Sequence, residues 1–505
     1  LVTENWFDLN ASRYTASSTL QRMELLKTGY MGTLSLGWDN YLFLELTGRQ
    51  ERSSTLKDQS FFYPSANLSF LFSNAFRMPA WWNHGKLRLS YGVVGNAPET
   101  YAANIIYEQG SDNGFTWNYV PSSWGNANIR PEKKYEYEIG FESKFLNNRL
   151  GFDVSYYNNR VKDQILSTPQ PSTSGVKYVL MNVGEVANEG WDISVSATPV
   201  LTKNFRWDLT ANYGIYRNKV VKLADGVPYL EISNIGGGGA KIQAVEGRPM
   251  GDIYVQVPQM NENGEYLVSD KGLYMNQTEL QRVGNINPDG VGGLFSSFSY
   301  KNIFLDFSID FRIGGDVINE MYQYSTASGL TPESLQFRDT EHGGLSYYYP
   351  GNNNASGVPV QVDPSLGAGP NGETVYHDGV ILPGVVASTG EKNTRIIPAG
   401  YYYNQTYNWG TQPEQLTYRH SVFDNSYVKL RELTIGYQFP EKLISKLGMT
   451  RLSVSVFGRN LFYFYKALKN YDAESSVGTS WASQAVVGGS TTATRNFGVS
   501  LRASF

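Results

Sequence analysis

The sequence predicts an all-β fold, a transmembrane antiparallel β-barrel, on three observations. Apolar and polar residues alternate in runs long enough to cross a bilayer, the connections between these runs are short and long in strict turn, and the chain ends on such a run. In that last run Phe497, Val499, Leu501, Ala503 and Phe505 alternate with Gly498, Ser500, Arg502 and Ser504, which is the period-2 pattern of a strand with one oily and one wet face. A ring at the chain end suits the interfacial aromatic girdle of a barrel better than the edge strand of a soluble sandwich.

Composition points the same way. With 41% hydrophobic residues, a mean hydropathy of −0.36 and no long apolar run, the chain offers no membrane-spanning helix. Barrel strands escape such a search because only every second residue faces lipid. Aromatics at 14% and 51 glycines suit strands, girdles and turns better than a helical or α/β enzyme. The absence of Cys removes disulfides, thiolate metal sites and cysteine catalysis together. A net charge of −4 leaves no basic footprint for nucleic acid.

About thirteen strands are expected, near 28–38, 40–52, 63–77, 85–95, 134–146, 149–163, 188–199, 204–216, 291–301, 303–315, 425–439, 450–465 and 494–505. Phe205, Trp207, Leu209, Ala211, Tyr213 and Ile215 alternate with Arg206, Asp208, Thr210, Asn212 and Gly214. Ile303, Leu305, Phe307, Ile309, Phe311 and Ile313 alternate with Asp306, Ser308, Asp310 and Arg312. Leu150 to Tyr156 and Leu452 to Val456 repeat the pattern. These runs match the roughly 9 to 11 residues a membrane strand needs, whereas soluble strands centre on about five or six.

The connections separate into two kinds. Short ones fall at Asp39-Asn40, Met78 to His84, Asn147-Asn148, Val200 to Lys203, Lys301-Asn302 and Pro440 to Thr450, and long ones at 53–62, 96–133, 164–187, 217–290, 316–424 and 466–493. Short periplasmic turns and long extracellular loops organise an outer-membrane barrel. The last strand then runs from outside to periplasm. Between Tyr427 and Phe439 the apolar phase slips from Val428 and Leu430 to Leu433 and Ile435, so a β-bulge is expected near Arg431-Glu432.

Bacterial single-chain barrels have an even number of strands, and an open edge in lipid leaves backbone groups unpaired. A fourteenth strand inside Trp6 to Thr15 would close a small barrel. The opening Leu1-Val2-Thr3-Glu4 has no initiator Met and no export signal, which favours a longer protein seen here as its C-terminal half.

Several motifs, in order along the chain, resemble the SusC/RagA-type TonB-dependent transporters of Bacteroidetes outer membranes. They include Arg130-Pro131-Glu132-Lys133, Phe145-Leu146-Asn147-Asn148-Arg149-Leu150, Asp163-Gln164-Ile165 and Asn188-Glu189-Gly190-Trp191. Glu246-Gly247-Arg248-Pro249-Met250-Gly251 and Val283-Gly284-Asn285-Ile286-Asn287-Pro288 follow, with Gly292-Gly293, Ile313-Gly314-Gly315 and Leu382-Pro383-Gly384-Val385. The run Asn425 to Tyr437 and Phe457-Gly458-Arg459-Asn460-Leu461-Phe462 complete the set. The resemblance implies a barrel of about 22 strands, with a plug and a TonB box upstream of residue 1, and a SusD-like lipoprotein lid over the loops. It implies import of oligosaccharides or peptides, driven by TonB and the proton-motive force. Lipid bilayer and lipopolysaccharide would surround the barrel. Relatives often carry an Asp-rich stretch before the Gly-Asn-Ile-Asn-Pro block; Met260-Asn261-Glu262-Asn263-Gly264-Glu265 has fewer carboxylates here. No calcium is expected there, and the segment reads as a hairpin turn on Asn263-Gly264.

A wide barrel cannot fill its lumen with its own side chains and needs a plug. Arg206, Asp208, Asp306, Asp310 and Arg312 are the candidates to face lumen or plug, the plainer reading being solvated wall. In the loops, Trp117, Tyr119, Trp124, Tyr347, Tyr348, Tyr349, Tyr401, Tyr402, Tyr403, Tyr407 and Trp409 are candidates to stack on sugar or grip peptide. Their plainer reading is packing of the loops or against the lid.

No enzyme is expected. His84, His342, His377 and His420 have no metal-ligand spacing, and no Gly-x-Ser-x-Gly elbow or cofactor motif occurs. Asp306 and Asp310 read as electrostatic lining rather than a glycosidase pair. Gly236 to Gly239 lacks the strand before and helix after that a phosphate cradle needs, and reads as flexible loop. The remaining alternative to an importer is a barrel that acts as a surface adhesion or assembly scaffold.

Overall fold

The computed structural model describes residues 22–57, 60–112, 115–408, 417–489 and 492–505. The fourteenth strand considered at Trp6 to Thr15 and the candidate Trp409 lie outside these. Among the described residues thirteen strands form one sheet, each paired only with its neighbours in sequence. They are β1 (Lys27–Trp38), β2 (Leu42–Ser53), β3 (Ser60–Phe70), β4 (Trp82–Asn96), β5 (Glu132–Phe145), β6 (Leu150–Lys162) and β7 (Glu185–Leu201). Then come β8 (Phe205–Lys222), β9 (Gly290–Tyr300), β10 (Ile303–Ile313), β11 (Tyr427–Gln438), β12 (Arg451–Lys466) and β13 (Asn496–Ser504). Every pairing is antiparallel.

The turns that join them take left-handed backbone where Asn and Asp tolerate it. Asp39 and Asn40 have φ of 47° and 56°, and Asn147 and Asn148 have 58° and 63°. The bulge falls at Arg431: Ser308 faces Glu432 and Ile309 faces Leu430, so Arg431 is skipped on both sides of β11. Two boundaries differ most from expectation. β8 runs on to Lys222 rather than ending at 216, so Arg217 and Lys219 lie on the strand and not in the loop expected from 217. β3 stops at Phe70 rather than 77, and a helical turn, Phe72–Ala75, follows. There the Asn74 amide donates to the Asn40 carbonyl at 3.0 Å, and the Phe72 ring packs on Trp82 and Phe141.

Register gives the sheet two chemically distinct faces. One row reads Phe152, Val195, Ala211, Leu294, Ile309, Leu430 and Phe462 across β6 to β12. The adjacent row on the other face reads Glu142, Asp153, Ser194, Asn212, Gly293, Asp310 and Lys429. A one-residue step along the pleat thus exchanges lipid for lumen. β13 places Val499 and Leu501, at 72% and 70% exposure, on the apolar face.

The buried core lies in the loops, not in the wall. Ile235, Ile242, Ile253 and Val255 from the β8–β9 loop pack with Ile318, Tyr418 and Val422 from β10–β11 and Val486 from β12–β13. Strands pair across these loops: Leu267–Val268 runs parallel to Val385–Val386, and Asp316–Asn319 pairs with Val422–Asp424 and Val486–Val487. A second group forms where Ser123–Trp124 of the β4–β5 loop adds to the hairpin Ile165–Pro169 and Tyr178–Asn182 of β6–β7. The glycine run forms a single tight turn between two paired strands: Gly236 turns the chain between Tyr229–Ile235 and Ala240–Val245 at φ 58°, and a Cβ there would collide with the Tyr418 hydroxyl. Gly264 sits in a turn at φ 79°, closed by Asn261, whose side chain accepts from the Asn263 and Glu265 amides.

Candidate functional site

The concave polar face of the wall and the loops seated on its rim form the candidate site. On the wall, the Arg88 guanidinium of β4 crosses β5 above Gly140, where a Cβ would lie 2.7 Å from its Nε. It reaches Asp153 Oδ1 at 2.6 Å and Ser155 Oγ at 3.1 Å on β6. Glu142 stands 3.4 Å from the same guanidinium. Arg88, Asp153, Ser155, Asp192, Asn212 and Asp310 border a hollow of about 680 Å³. Charges of both signs are fixed along this wall, so it can hold polar groups at set positions without a strong net field.

The expected lumen residues are mostly tied down by neighbours. Arg206 donates to Asp208 at 2.5 Å, and Asp208 also accepts from the Thr198 hydroxyl at 2.7 Å. Asp306 accepts from Ser297 Oγ at 2.6 Å. Arg312 donates to the carbonyls of Gly314 and Ile286 at 3.2 and 3.0 Å. Asp310 is bound by Arg431, the bulge residue. Because the bulge turns Arg431 out of phase, its fork also reaches Glu474 at 2.6 Å and Asn460 Oδ1 at 2.9 Å. Glu474 belongs to the β12–β13 loop and takes Lys429 as well. Burial raises the Glu474 carboxyl, but the bonds from Arg431 and Lys429 outweigh it and hold it below the ordinary value.

A second seat joins the β8–β9 loop to the wall, and its central residue is not among the sequence candidates. Asp252 is fully buried and accepts from Arg248 Nε at 2.6 Å, Arg282 Nε at 2.9 Å and Asn285 Nδ2 at 2.9 Å. Asn287 donates to the Met250 carbonyl at 2.7 Å and accepts from the Tyr216 hydroxyl of β8. The Asp316 carboxylate accepts from the Asn285 amide at 3.0 Å; burial pushes Asp316 up, opposed by that bond. Gly315 closes against the same block, where a Cβ would lie 3.0 Å from the Ile286 carbonyl oxygen, so Arg248, Asn285, Asn287 and Gly315, from motifs far apart in sequence, meet at one junction. Asp252 follows directly on Gly251 of its motif, but nothing in the sequence marks it as buried or ties it to Arg282 and Asn285, some thirty residues on.

The loop aromatics divide by burial. Tyr347 and Tyr349 are 1% and 9% exposed and pack with Ile396. Tyr403 and Tyr407, 7% and 6% exposed, pack with Ala399, and the Tyr403 hydroxyl donates to the Glu333 carbonyl at 2.8 Å. Burial pushes the Tyr403 phenol up to about 12. Tyr401 and Tyr402 lie partly buried against the Leu273 and Ile397 cluster, and Tyr348 and Trp124 are half-buried. Trp117 differs: it is 48% exposed in a hairpin, Glu108–Asp112 with Phe115–Tyr119, where Phe115 and Tyr119 are 79% and 44% exposed on the same face.

Residues 4–253 match the family described as TonB dependent receptor-like, beta-barrel. The chain is 22% identical over 494 residues to TonB-dependent receptor P3 of Formosa agariphila, covering 89% of this chain and 42% of that protein. It is 27% identical over 256 residues to TonB-dependent receptor SusC of Bacteroides thetaiotaomicron, covering 44% of this chain and 24% of that one. Among solved structures, the RagAB peptide importer in its open-open state superposes with a TM-score of 0.70 at 19% identity, over 100% of this chain and 50% of that one. The chain therefore spans half or less of the length of these relatives.

Proposed function

We propose that this chain, a TonB dependent receptor-like β-barrel of the SusC and RagA kind in the outer membrane, supplies the C-terminal strands and outer loops of an importer of oligosaccharides or peptides. The observation that carries the reading is the pairing of a polar, hydrogen-bonded concave wall with a packed loop assembly on one end only. β1 and β13 are each paired on one side among the described residues, and unpaired edges are costly in lipid. Further strands are therefore assigned to parts of the protein outside the described residues. A plug and a TonB box upstream of this chain, and a SusD-like lipoprotein on the outer face of the loops, are assigned by the likeness to SusC and RagA. An adhesion or assembly scaffold has no need of a polar lumen wall with its ion pairs held in register, and fits less well.

Within this reading Trp117, with Phe115 and Tyr119, is the aromatic platform best placed for ligand, since flat rings stack on sugar faces and also hold peptides. Tyr347, Tyr349, Tyr403 and Tyr407 are assigned to packing. The test is uptake of labelled oligosaccharides and peptides by cells that depend on the full-length protein. Uptake should vanish when the proton-motive force is collapsed, and continued uptake would overturn active import. Trp117→Ala should lower uptake with barrel and loops intact; unchanged uptake would remove Trp117 from the ligand path.

A further inference from the structure

On the lipid side of β5 to β8 the register climbs towards the outer rim in rows. Ile139, Tyr156, Trp191 and Ile215 form one row, Tyr137, Asn158, Glu189 and Arg217 the next, and Tyr135, Arg160, Ala187 and Lys219 the one above. Lys162 follows on β6, opposite Glu185. Successive rows are about 7 Å apart along the strand. The Tyr156 and Trp191 rings lie 4.9 Å apart, with Tyr137 and Trp191 each 46% exposed, which marks the interfacial girdle. Arg160, Lys162, Arg217 and Lys219 are exposed directly above it.

This strip is only partly neutralised. Arg160 pairs with Glu185 at 2.8 Å, while Glu189 accepts from the Tyr156 hydroxyl at 3.3 Å. Among the described residues no ion pair engages Lys162, Arg217 or Lys219. At the periplasmic end of the same strands the same face carries Phe145, Leu150, Ala197 and Leu209, with no cation. The positive strip therefore belongs to one leaflet.

We propose that the strip binds the phosphates of a phosphorylated glycolipid of the outer leaflet. Acyl chains would lie on the apolar rows below the girdle, and the phosphates at the height of Arg217, Arg160 and Lys219. Guanidinium forks match phosphate oxygens, and lysines add charge at an anionic surface. A soluble anion would gain nothing from the apolar rows, so charge and position together select an amphiphile. The inference rests on the placement of the long loops outside the cell.

The test uses the full-length protein in detergent, titrated with purified lipopolysaccharide, phosphatase-treated lipopolysaccharide and inorganic phosphate, with bound lipid read by native mass spectrometry. The wild type should retain the intact glycolipid over the dephosphorylated form. Each of Arg160→Gln, Lys162→Gln, Arg217→Gln and Lys219→Gln should weaken retention about fivefold, and the fourfold variant should lose the preference. Folding of each variant is read by heat-modifiable migration on gels. Asp225→Cys, at a side chain 95% exposed just above the strip, tests orientation by labelling of intact cells with an impermeant maleimide. Label with equal retention by wild type and fourfold variant overturns the proposal alone. Absence of label overturns it together with the orientation, and displacement of the glycolipid by inorganic phosphate overturns it in favour of a free-anion site.

Discussion

The barrel wall and the loop cap are built on opposite principles, although one chain makes both. In the wall, apolar residues such as Val456, Val499 and Leu501 are 59%, 72% and 70% exposed, and order comes from the ladder of antiparallel pairs. In the cap, Ile242, Ile253 and Val255 are fully buried among residues of three loops. The wall leaves its apolar surface to lipid, whereas the cap buries its own as a soluble domain does. The difference teaches that the loops are preorganised around a core of their own, so the cap can fail while the barrel stands.

The largest effect should come from breaking the cap. Ile253→Asp puts a carboxylate with no partner into a fully buried apolar site and should cost about 4 kcal/mol or more. Proteases added to intact cells should then cleave the 223–289 and 314–426 loops, while the barrel keeps its heat-modifiable migration. Cleavage with loss of the barrel would show that the two regions fold as one unit. The reciprocal change is Val456→Arg on the lipid face, expected to cost about 2 to 4 kcal/mol. It should lower the yield of inserted barrel and leave the loops of the inserted fraction as protease-resistant as the wild type.

This contrast also decides what could be read from sequence. Wall strands announce themselves because lipid and lumen select opposite residues every second position, as Phe205 to Ile215 and Ile303 to Ile313 show, and even the slip at Arg431 was visible as a change of phase. The cap has no such period: its strands run from two to seven residues, such as Val385–Val386 and Tyr229–Ile235, and pair between loops distant in sequence. Tyr347 and Trp117 are both loop aromatics to a sequence reader, yet one is 1% and the other 48% exposed. Only tertiary packing separates them. Asp252 was silent for the same reason, since its partners Arg282 and Asn285 lie some thirty residues away.

The seat between the two regions should give intermediate effects. Asp252→Ala leaves Arg248 and Arg282 partly solvated, with side chains 41% and 40% exposed, so the loss is about 2 kcal/mol rather than that of a fully buried pair. Hydrogen exchange should quicken in Asp252–Val255 and Gln281–Asn285 with β9 and β10 unchanged. Equal quickening of the wall strands would mean that Asp252 supports the barrel itself.

The smallest effect tests the tie through the bulge, and it carries a sign in pH. Arg431 and Lys429 hold the Glu474 carboxyl below its ordinary value despite burial. A carboxyl depressed in the folded state stabilises the fold fully above its unfolded pKa, and the stabilisation is lost as pH falls through the lower native value. The tie is thus intact at neutral pH and weakens only below about 4.3, the ordinary Glu value. Glu474→Gln keeps the shape and removes the charge, so it should cost about 1 kcal/mol at neutral pH. Protease access to the 466–493 loop should rise with acid in the wild type and be raised already at neutral pH, with a flatter acid response, in the variant. Parallel acid curves for the two proteins would place the acid-sensitive contact elsewhere. A flat wild-type curve would mean that the bulge holds Arg431 to Asp310 alone, and that the β12–β13 loop is kept on the wall by Val486 and Val487 in the cap.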